Sequence, residues 1–305
     1  MKTNITFIML AVVLFSCQQP QKNQEKNLAN TAQNTSKTEV KESENNASTK
    51  DLKTIALKAQ NALFKDYSEE GVKQHFKEDY IQHNPNVPTG RKPVVGFLPA
   101  LKKAGTTYTN HRLLQDGNFI IFHNSYDNAQ AFGAKEIVTF DIWRMEDGKV
   151  AEHWDAIIPR AEKTASGRSQ VDGPTKITDL DKTDANKTLV KNFLNDIMLN
   201  GKNDKLTEYV STEQYDQHNP LVKDGLKGLG EAIKQLTAAN MMFTYTKIHH
   251  VWGEGNFVLS QSEGQWKGKT HVFYDLFRIE NGKIVEHWDV IQEVPEKMAH
   301  QNGMF

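Results

Sequence analysis

The 305-residue chain contains a single cysteine, Cys17, so no disulfide can form within one molecule. It has no excess of charge of either sign: 37 Lys and Arg stand against 38 Asp and Glu. That balance removes the usual ground for expecting a nucleic acid or an anionic membrane surface as partner. There is no Gly-rich dinucleotide loop, P-loop or nucleophile elbow, so no cofactor fingerprint is present. Residues 18–50 hold no aromatic side chain and consist mostly of Gln, Asn, Lys, Glu, Ser and Thr. Such a stretch cannot bury enough apolar surface to offset its chain entropy, and a disordered tether is expected there.

Ahead of it stands MKTNITFIMLAVVLFSCQQ, with a basic start at Lys2 and an apolar run from Ile5 to Phe15. The run is too short to span a bilayer comfortably and has the shape of a signal-peptide core. Leu14-Phe15-Ser16-Cys17 resembles the bacterial lipobox. The resemblance implies cleavage after residue 16, lipidation of Cys17, and a membrane link through that lipid alone. Gln18 and Gln19 follow rather than Asp, so the expected location is the outer membrane, facing the periplasm.

What is present is a long repeat. YIQHNP at Tyr80 matches YDQHNP at Tyr215, DGNF at Asp116 matches EGNF at Glu254, and FDIWRMEDGKVAEHWD at Phe140 matches YDLFRIENGKIVEHWD at Tyr274. The blocks are offset by 215 − 80 = 135, 254 − 116 = 138 and 274 − 140 = 134 residues. A period of this length means two whole domains rather than solenoid units. The expected organisation is a signal segment at 1–17, a tether at 18–50, one domain at 51–159, a polar linker at 160–183, a second domain at 184–295 and a tail at 296–305.

Within each copy, helical spacing comes first: Leu52, Ile55, Ala56, Ala59 and Leu63, and later Leu189, Val190, Phe193, Leu194 and Ile197. A second helix is expected after Gly90 and after Gly225, with Pro99 kinking or shortening the first of these. The pattern then changes to period two, with strands expected near 107–115, 118–126, 135–145 and 149–158 and their counterparts. QDGN, EDGK, GEGN and ENGK mark the hairpins. Helices followed by a run of antiparallel strands read as α+β.

Helices, then HNP, then a hairpin closing in EHWD resemble the SnoaL-like polyketide cyclase group of the nuclear transport factor 2-like superfamily, over roughly 52–159 and 184–294. The resemblance implies two tandem cone-shaped α+β barrels, each with N-terminal helices packed on a curved antiparallel sheet around a pocket. It also implies, for some members, cofactor-independent aldol-type cyclase or isomerase chemistry on a small apolar or carbonyl-bearing molecule. Because the superfamily often pairs sheets across a dimer, the two copies are expected to pack as a pseudo-dimer.

Side chains alternate along a strand, so His153 and Asp155 share one face while Glu152 and Trp154 share the other. The same holds for His287 with Asp289. Two registers are open for the EDGK hairpin. A two-residue turn sets Asp141 opposite Trp154; a three-residue turn sets it opposite His153, with Asp155 opposite Thr139. The second is favoured because it gathers Asp141, His153 and Asp155, and likewise Asp275, His287 and Asp289. A carboxylate beside an imidazole in apolar surroundings suits proton abstraction next to a carbonyl. Either aspartate could be the base. His83 and His218 of the HNP segments, with Trp143 and Phe277, are expected to complete the pocket lining.

Plainer readings stand beside this one. The His–Asp pair orders a hairpin, the tryptophans are packing residues, and the HNP segments are Asx-type turns. A two-His-one-carboxylate metal set from His83, His153 and Asp155 is a further alternative, but no metal or other cofactor is assigned. For function, a catalyst of enolisation, cyclisation or aldol condensation competes with a non-catalytic ligand-binding or scaffolding lipoprotein.

Overall fold

The computed structural model describes residues Glu42–Phe305; the signal segment, Cys17 and residues 18–41 lie outside the described residues. Helix α1 (Glu42–Phe64) begins within the stretch read as a tether, since no Pro or Gly interrupts it and its far end is anchored by buried Ala56, Ala59 and Leu63. Helix α2 (Glu69–His75) starts at Ser68, whose hydroxyl accepts the Gly71 N–H. Strand β1 (Phe76–Gln82) and helix α3 (Arg91–Ala104) follow. Pro99 does not shorten α3, which matches its counterpart α6 (Gly225–Ala238) at 14 residues. Its packed face, Val94, Leu98 and Leu101, holds the helix through the one bond that proline cannot make.

The expected strands are β2 (Thr107–Asp116), β3 (Phe119–Asp127), β4 (Glu136–Glu146) and β5 (Lys149–Pro159). The second half adds α4 (Thr183–Phe193), α5 (Leu206–Tyr209), β6 (Asp216–Gln217), β7 (Thr244–Glu254), β8 (Phe257–Trp266), β9 (Lys269–Glu280) and β10 (Lys283–Glu293). Two five-stranded sheets result, ordered β1-β5-β4-β3-β2 and β6-β10-β9-β8-β7. In each, the short first strand runs parallel to the last and the rest are antiparallel. The fold is mixed α+β.

Each sheet buries both faces. One packs on its own helices: Ala56, Leu63, Phe76, Leu98, Ile120 and Trp143 meet in the first half, and Val190, Leu194, Val258, Phe273 and Phe277 in the second. The other faces share one apolar cluster, with Phe140, Ile142 and Trp154 from the first sheet and Phe257, Tyr274 and Trp288 from the second. Full burial of one large apolar side chain is worth roughly 1.5–3 kcal/mol, so this shared layer makes Glu42–Phe305 one compact unit. Two ion pairs cross the join in corresponding positions, Lys53 to Glu254 at 2.6 Å and Lys187 to Asp116 at 2.5 Å.

The 160–183 stretch is not a free connection. Gln170 and Val171 are buried, and the Arg112 guanidinium donates to the carbonyls of Val171, Asp172 and Pro174 while lying 4.0 Å above the Trp288 ring. Gly173 has φ +94°, and a Cβ there would stand 2.5 Å from Glu286 Oε1 and 2.9 Å from the Trp288 ring, so only glycine passes.

Candidate active site

The site is set by two small irregularities in the EHWD hairpin. Asp147 and Gly148 both have positive φ, 51° and 68°, and they close a two-residue turn pairing Glu146 with Lys149. The three-residue turn favoured from sequence is therefore not formed: Asp-Gly adopts the turn its chemistry prefers. The register then slips by one, because Met145 pairs with Val150 but Arg144 pairs with Glu152, leaving Ala151 as a bulge. Asp141 consequently faces Asp155, and Trp143 faces His153, so neither register read from sequence occurs. The second half repeats the device: Asn281 and Gly282 turn, Val285 bulges, and Asp275 faces Asp289.

Asp141, His153 and Asp155 nonetheless share the helix-facing side of the sheet. His153 Nε2 lies 3.2 Å from Asp141 Oδ1 and 3.9 Å from Asp155 Oδ2. Asp141 Oδ2 accepts from Thr139 Oγ1 at 2.5 Å and from Asn124 Nδ2 and Tyr126 OH at 3.3 Å each. Gln60 Nε2 donates to Tyr126 OH at 2.7 Å. Asp155 accepts from Asn84 Nδ2 at 3.1 and 2.8 Å. These groups border a cavity of about 80 Å³ whose other walls include Leu63, Phe64, Phe76, Val94, Phe97 and Trp143. That is room for several waters or one small organic molecule. Gln60 and Trp143 are among its lining residues, and Gln60 Oε1 and Trp143 Nε1 are buried without a hydrogen-bond partner.

Burial raises the Asp155 carboxyl from 3.8 to about 6; the Asp141 charge adds to this, while His153 and the Asn84 bond oppose it. Burial alone would lower His153, but the Asp141 bond and the charges of Asp155 and Asp141 outweigh it, and the imidazole is raised above 6.5. Burial, with the nearby Asp141 charge, holds the Tyr126 hydroxyl well above 10, so it stays protonated as a donor. Together these give a carboxylate that can take a proton near neutral pH and an imidazolium beside it that can give one.

His83 is not part of this cavity. Its ring lies on the opposite side of the sheet, stacked on Trp154 at 4.6 Å, with Nε2 2.9 Å from Glu152 Oε1 and Nδ1 2.9 Å from the Gly303 carbonyl. The reason is alternation: β1 pairs with β5, setting Gln82 beside His153 and aiming residue 83 outward. Arg144 Nε completes the outer cluster at 2.8 Å from Glu152. His218 is displaced in the same way, stacked on Trp288 at 4.5 Å and 2.8 Å from Glu286, which Arg278 also holds. EHWD thus serves both faces: Glu and Trp anchor the outer histidine, while His and Asp line the interior. The metal set of His83, His153 and Asp155 cannot assemble across the sheet.

Sequence reasoning missed Asn84, Tyr80 and Gln82, and their counterparts Asn219, Tyr215 and Gln217, although all lie in the repeated Y-x-Q-H-N-P block. Tyr80, Gln82 and Asn84 alternate onto the cavity side, with Gln82 Nε2 donating to Tyr80 OH at 3.0 Å. Tyr126, Thr139 and Gln60 carry no signal, because the second half does not repeat them.

In the second half His287 Nε2 is 3.1 Å from Asp275 Oδ1, and Asn219 Nδ2 donates to Asp289 at 2.5 Å. Burial and then the Asp275 charge raise Asp289, against His287 and Asn219. Phe277 stacks on the His287 ring at 5.0 Å. Asp275 takes its tyrosine from another strand, Tyr245 OH at 2.9 Å. At the position of Thr139 stands Phe273, packed on Tyr245 at 4.5 Å, so an aromatic ring occupies what the first half gives to a hydroxyl.

The ligand-type atoms of Asp141, His153 and Asp155 lie within 4.8 Å of one another, as do those of Asp275, His287 and Asp289. In the first triad Thr139, Asn124 and Tyr126 already occupy Asp141 Oδ2, and Asn84 holds both oxygens of Asp155. That is a hydrogen-bonded carboxyl pair rather than a set of free ligand oxygens.

Residues 57–153 match the SnoaL-like domain family. The match runs from α1 to the histidine of the first EHWD. No curated protein matches the chain. Among solved structures, TsrD from Streptomyces laurentii is similar at 17% identity over 35% of this chain and 88% of its own, with TM-score 0.31. A nuclear transport factor 2-like protein of unknown function from Cytophaga hutchinsonii is similar at 15% identity over 35% and 90%, TM-score 0.30. IdmH from Streptomyces antibioticus is similar at 16% over 35% and 91%, TM-score 0.29.

Proposed function

We propose that the SnoaL-like first half is a cofactor-independent acid–base catalyst that enolises a small carbonyl compound, leading to isomerisation, aldol condensation or cyclisation. The observation that carries this is the Asp141–His153–Asp155 cluster at an apolar cavity whose remaining buried polar atoms, Trp143 Nε1 and Gln60 Oε1, lack partners within the protein. Asp155 takes the proton from the carbon beside the carbonyl. His153, held by Asp141, donates to the oxygen on which negative charge develops, with the Trp143 N–H as a second donor. The conjugated γ-carbon then takes the proton from Asp155 while His153 keeps its own, or the α-carbon bonds to a second carbonyl carbon whose oxygen takes the His153 proton, after which the Asp155 proton returns to His153. Gln60 Oε1 fits a hydroxyl of the ligand.

The test is solvent exchange. In D2O, a panel of small ketones and β-dicarbonyl compounds should gain deuterium at the α-carbon faster with the protein than with buffer. Asp155→Asn should remove at least about 100-fold of that acceleration. No acceleration by the wild-type chain with any compound, alongside ligand binding at the cavity, would support the non-catalytic binding reading.

The chain is further proposed to be two SnoaL-like copies, residues 51–159 and 184–295, paired face to face within one molecule. Supporting this are the repeated strand order, the shared turn and bulge, and the corresponding Lys53–Glu254 and Lys187–Asp116 pairs. With Phe273 in place of Thr139, the second copy is assigned ligand binding or scaffolding. An outer-membrane lipoprotein anchored at Cys17 and facing the periplasm is the proposed location, on the strength of the Leu14–Cys17 motif. Cys17→Ser should abolish fatty-acid labelling and release the protein from the membrane fraction; an unchanged distribution defeats it.

A further inference from the structure

The segment that follows each sheet does not stay with that sheet. After β10, at the end of the second half, the chain crosses to the first half and lies along Gln82–Pro85. Ala299 N donates to the Pro85 carbonyl at 2.7 Å, His300 Nε2 to the Asn84 carbonyl at 2.8 Å, and Asn302 Nδ2 to the Gln82 carbonyl at 2.9 Å and to Thr89 Oγ1 at 2.8 Å. The Gly303 carbonyl meets His83 Nδ1 at 2.9 Å. Met304 is buried in the shared cluster, its carbonyl accepting from Gln261 Nε2 at 3.0 Å, and Phe305 stacks on His249 at 4.4 Å. After β5 the chain does the reciprocal thing. Ala165 N donates to the Pro220 carbonyl at 2.9 Å, Ser166 Oγ to the Gln217 carbonyl at 2.7 Å, and the Ser169 carbonyl meets His218 Nδ1 at 2.6 Å. Ala165 and Ala299, 299 − 165 = 134 residues apart, do the same job in the two halves, each closing a short block repeated at that offset, Glu162-Lys163-Thr164-Ala165 and Glu296-Lys297-Met298-Ala299.

We infer that these exchanged straps are positioning elements of the opposite half's site, with His300 and Asn302 fixing the backbone that aims Asn84 at Asp155. Asn84 is also tied locally: its N–H goes to Gln82 Oε1, its side-chain oxygen accepts the Asn86 N–H, and its carbonyl accepts the Val87 N–H at 3.2 Å beside the shorter bond from His300 of the strap at 2.8 Å. An asparagine whose carbonyl is pinned from outside and whose amide points inward transmits the strap's position to the carboxyl it holds at 2.8 Å. The catalytic site of one half is therefore completed by the other half, and an isolated first half would lack this restraint. The functional meaning rests on the reading of Asp155 as the base.

The test reads the hydrogen bond rather than turnover, so its failure is distinct from a failure of that reading. In the full chain with 15N-labelled asparagine, the side-chain amides of Asn84 and Asn219 are assigned by their loss in Asn84→Ala and Asn219→Ala. The double variant His300→Ala/Asn302→Ala keeps Met304 and Phe305 in the core. It should move the Asn84 amide signal toward that of a solvated asparagine while leaving Asn219 in place. Ser166→Ala should do the converse. A general loosening would move both amides in either variant, and an Asn84 signal unmoved in the double variant would show that the strap positions nothing; either result overturns the inference.

Discussion

Asp141 and Asp155 lie directly opposite one another on adjacent antiparallel strands, and the His153 imidazole stands 3.2 Å from one and 3.9 Å from the other. Two buried carboxyl groups that close cannot both ionise as they would in water. The chain accommodates them unequally. Asp141 has three hydrogen-bond donors on one oxygen besides the imidazole on the other, whereas Asp155 has only the Asn84 amide. The less supported carboxyl is the one pushed up to about 6.

That inequality has a consequence for stability. A carboxyl raised in the folded state stabilises the fold below its unfolded value of 3.8 and loses that contribution as pH rises to about 6. The difference corresponds to about 3 kcal/mol. Asp155→Asn should therefore raise Tm at pH 7, by roughly 6 °C for a chain of this size, with the gain shrinking toward zero near pH 4. Thermal unfolding of both proteins between pH 4 and 7.5 checks this.

For the exchange reaction, kcat/KM should follow a bell in pH. The acid limb falls near 6 as Asp155 is protonated, and the alkaline limb falls above 6.5 as His153 loses its proton. In Asp155→Asn the acid limb should disappear along with most of the rate.

Since His83 braces the outer face through Glu152 and Trp154, His83→Ala should weaken the fold without emptying the cavity of its catalytic groups. Loss of the Glu152 partner should cost roughly 1–3 kcal/mol, read by denaturant titration. The exchange rate at saturating substrate should stay within about threefold of wild type.

Gly173 threads between Glu286 and Trp288 with φ +94°. Gly173→Ala combines a backbone penalty with a clash that neither neighbour can leave, at about 2–4 kcal/mol. Calorimetry should show Tm lower by roughly 4–8 °C.

Much of this architecture was legible in the residues. Period-two alternation and the Gly turns placed β2 to β5, and the repeated blocks placed their counterparts β7 to β10. The parallel strands β1 and β6 were not legible, since a strand that pairs without a hairpin leaves no turn signal. The register illustrates a different limit. Asp147-Gly148 calls for a two-residue turn and forms one, so turn chemistry outranks the gathering of three polar residues as a guide to register. The collection is achieved instead by the Ala151 bulge, for which nothing in Val150-Ala151-Glu152 gives a cue. The place of His83 followed from its pairing partner rather than from its own segment. Asn84, beside it, points the other way and holds Asp155, a role that an asparagine before proline does not signal by residue type. The straps left only a faint signal: Glu162-Lys163-Thr164-Ala165 and Glu296-Lys297-Met298-Ala299 repeat at the EHWD offset, but Ala165 and Ala299 donate through backbone N–H groups, so the block names no partner.

The most direct measurement is the titration of Asp155 itself, by 13C NMR of the aspartate carboxyl carbons, with the signal assigned by its loss in Asp155→Asn. A midpoint near 6, together with an upward shift when Asn84→Ala removes the opposing hydrogen bond, is the result expected of a base desolvated in the cavity and crowded by Asp141. A midpoint near 3.8 that does not respond to Asn84→Ala would mean that Asp155 is an ordinary solvated carboxylate, and would contradict its role as the base.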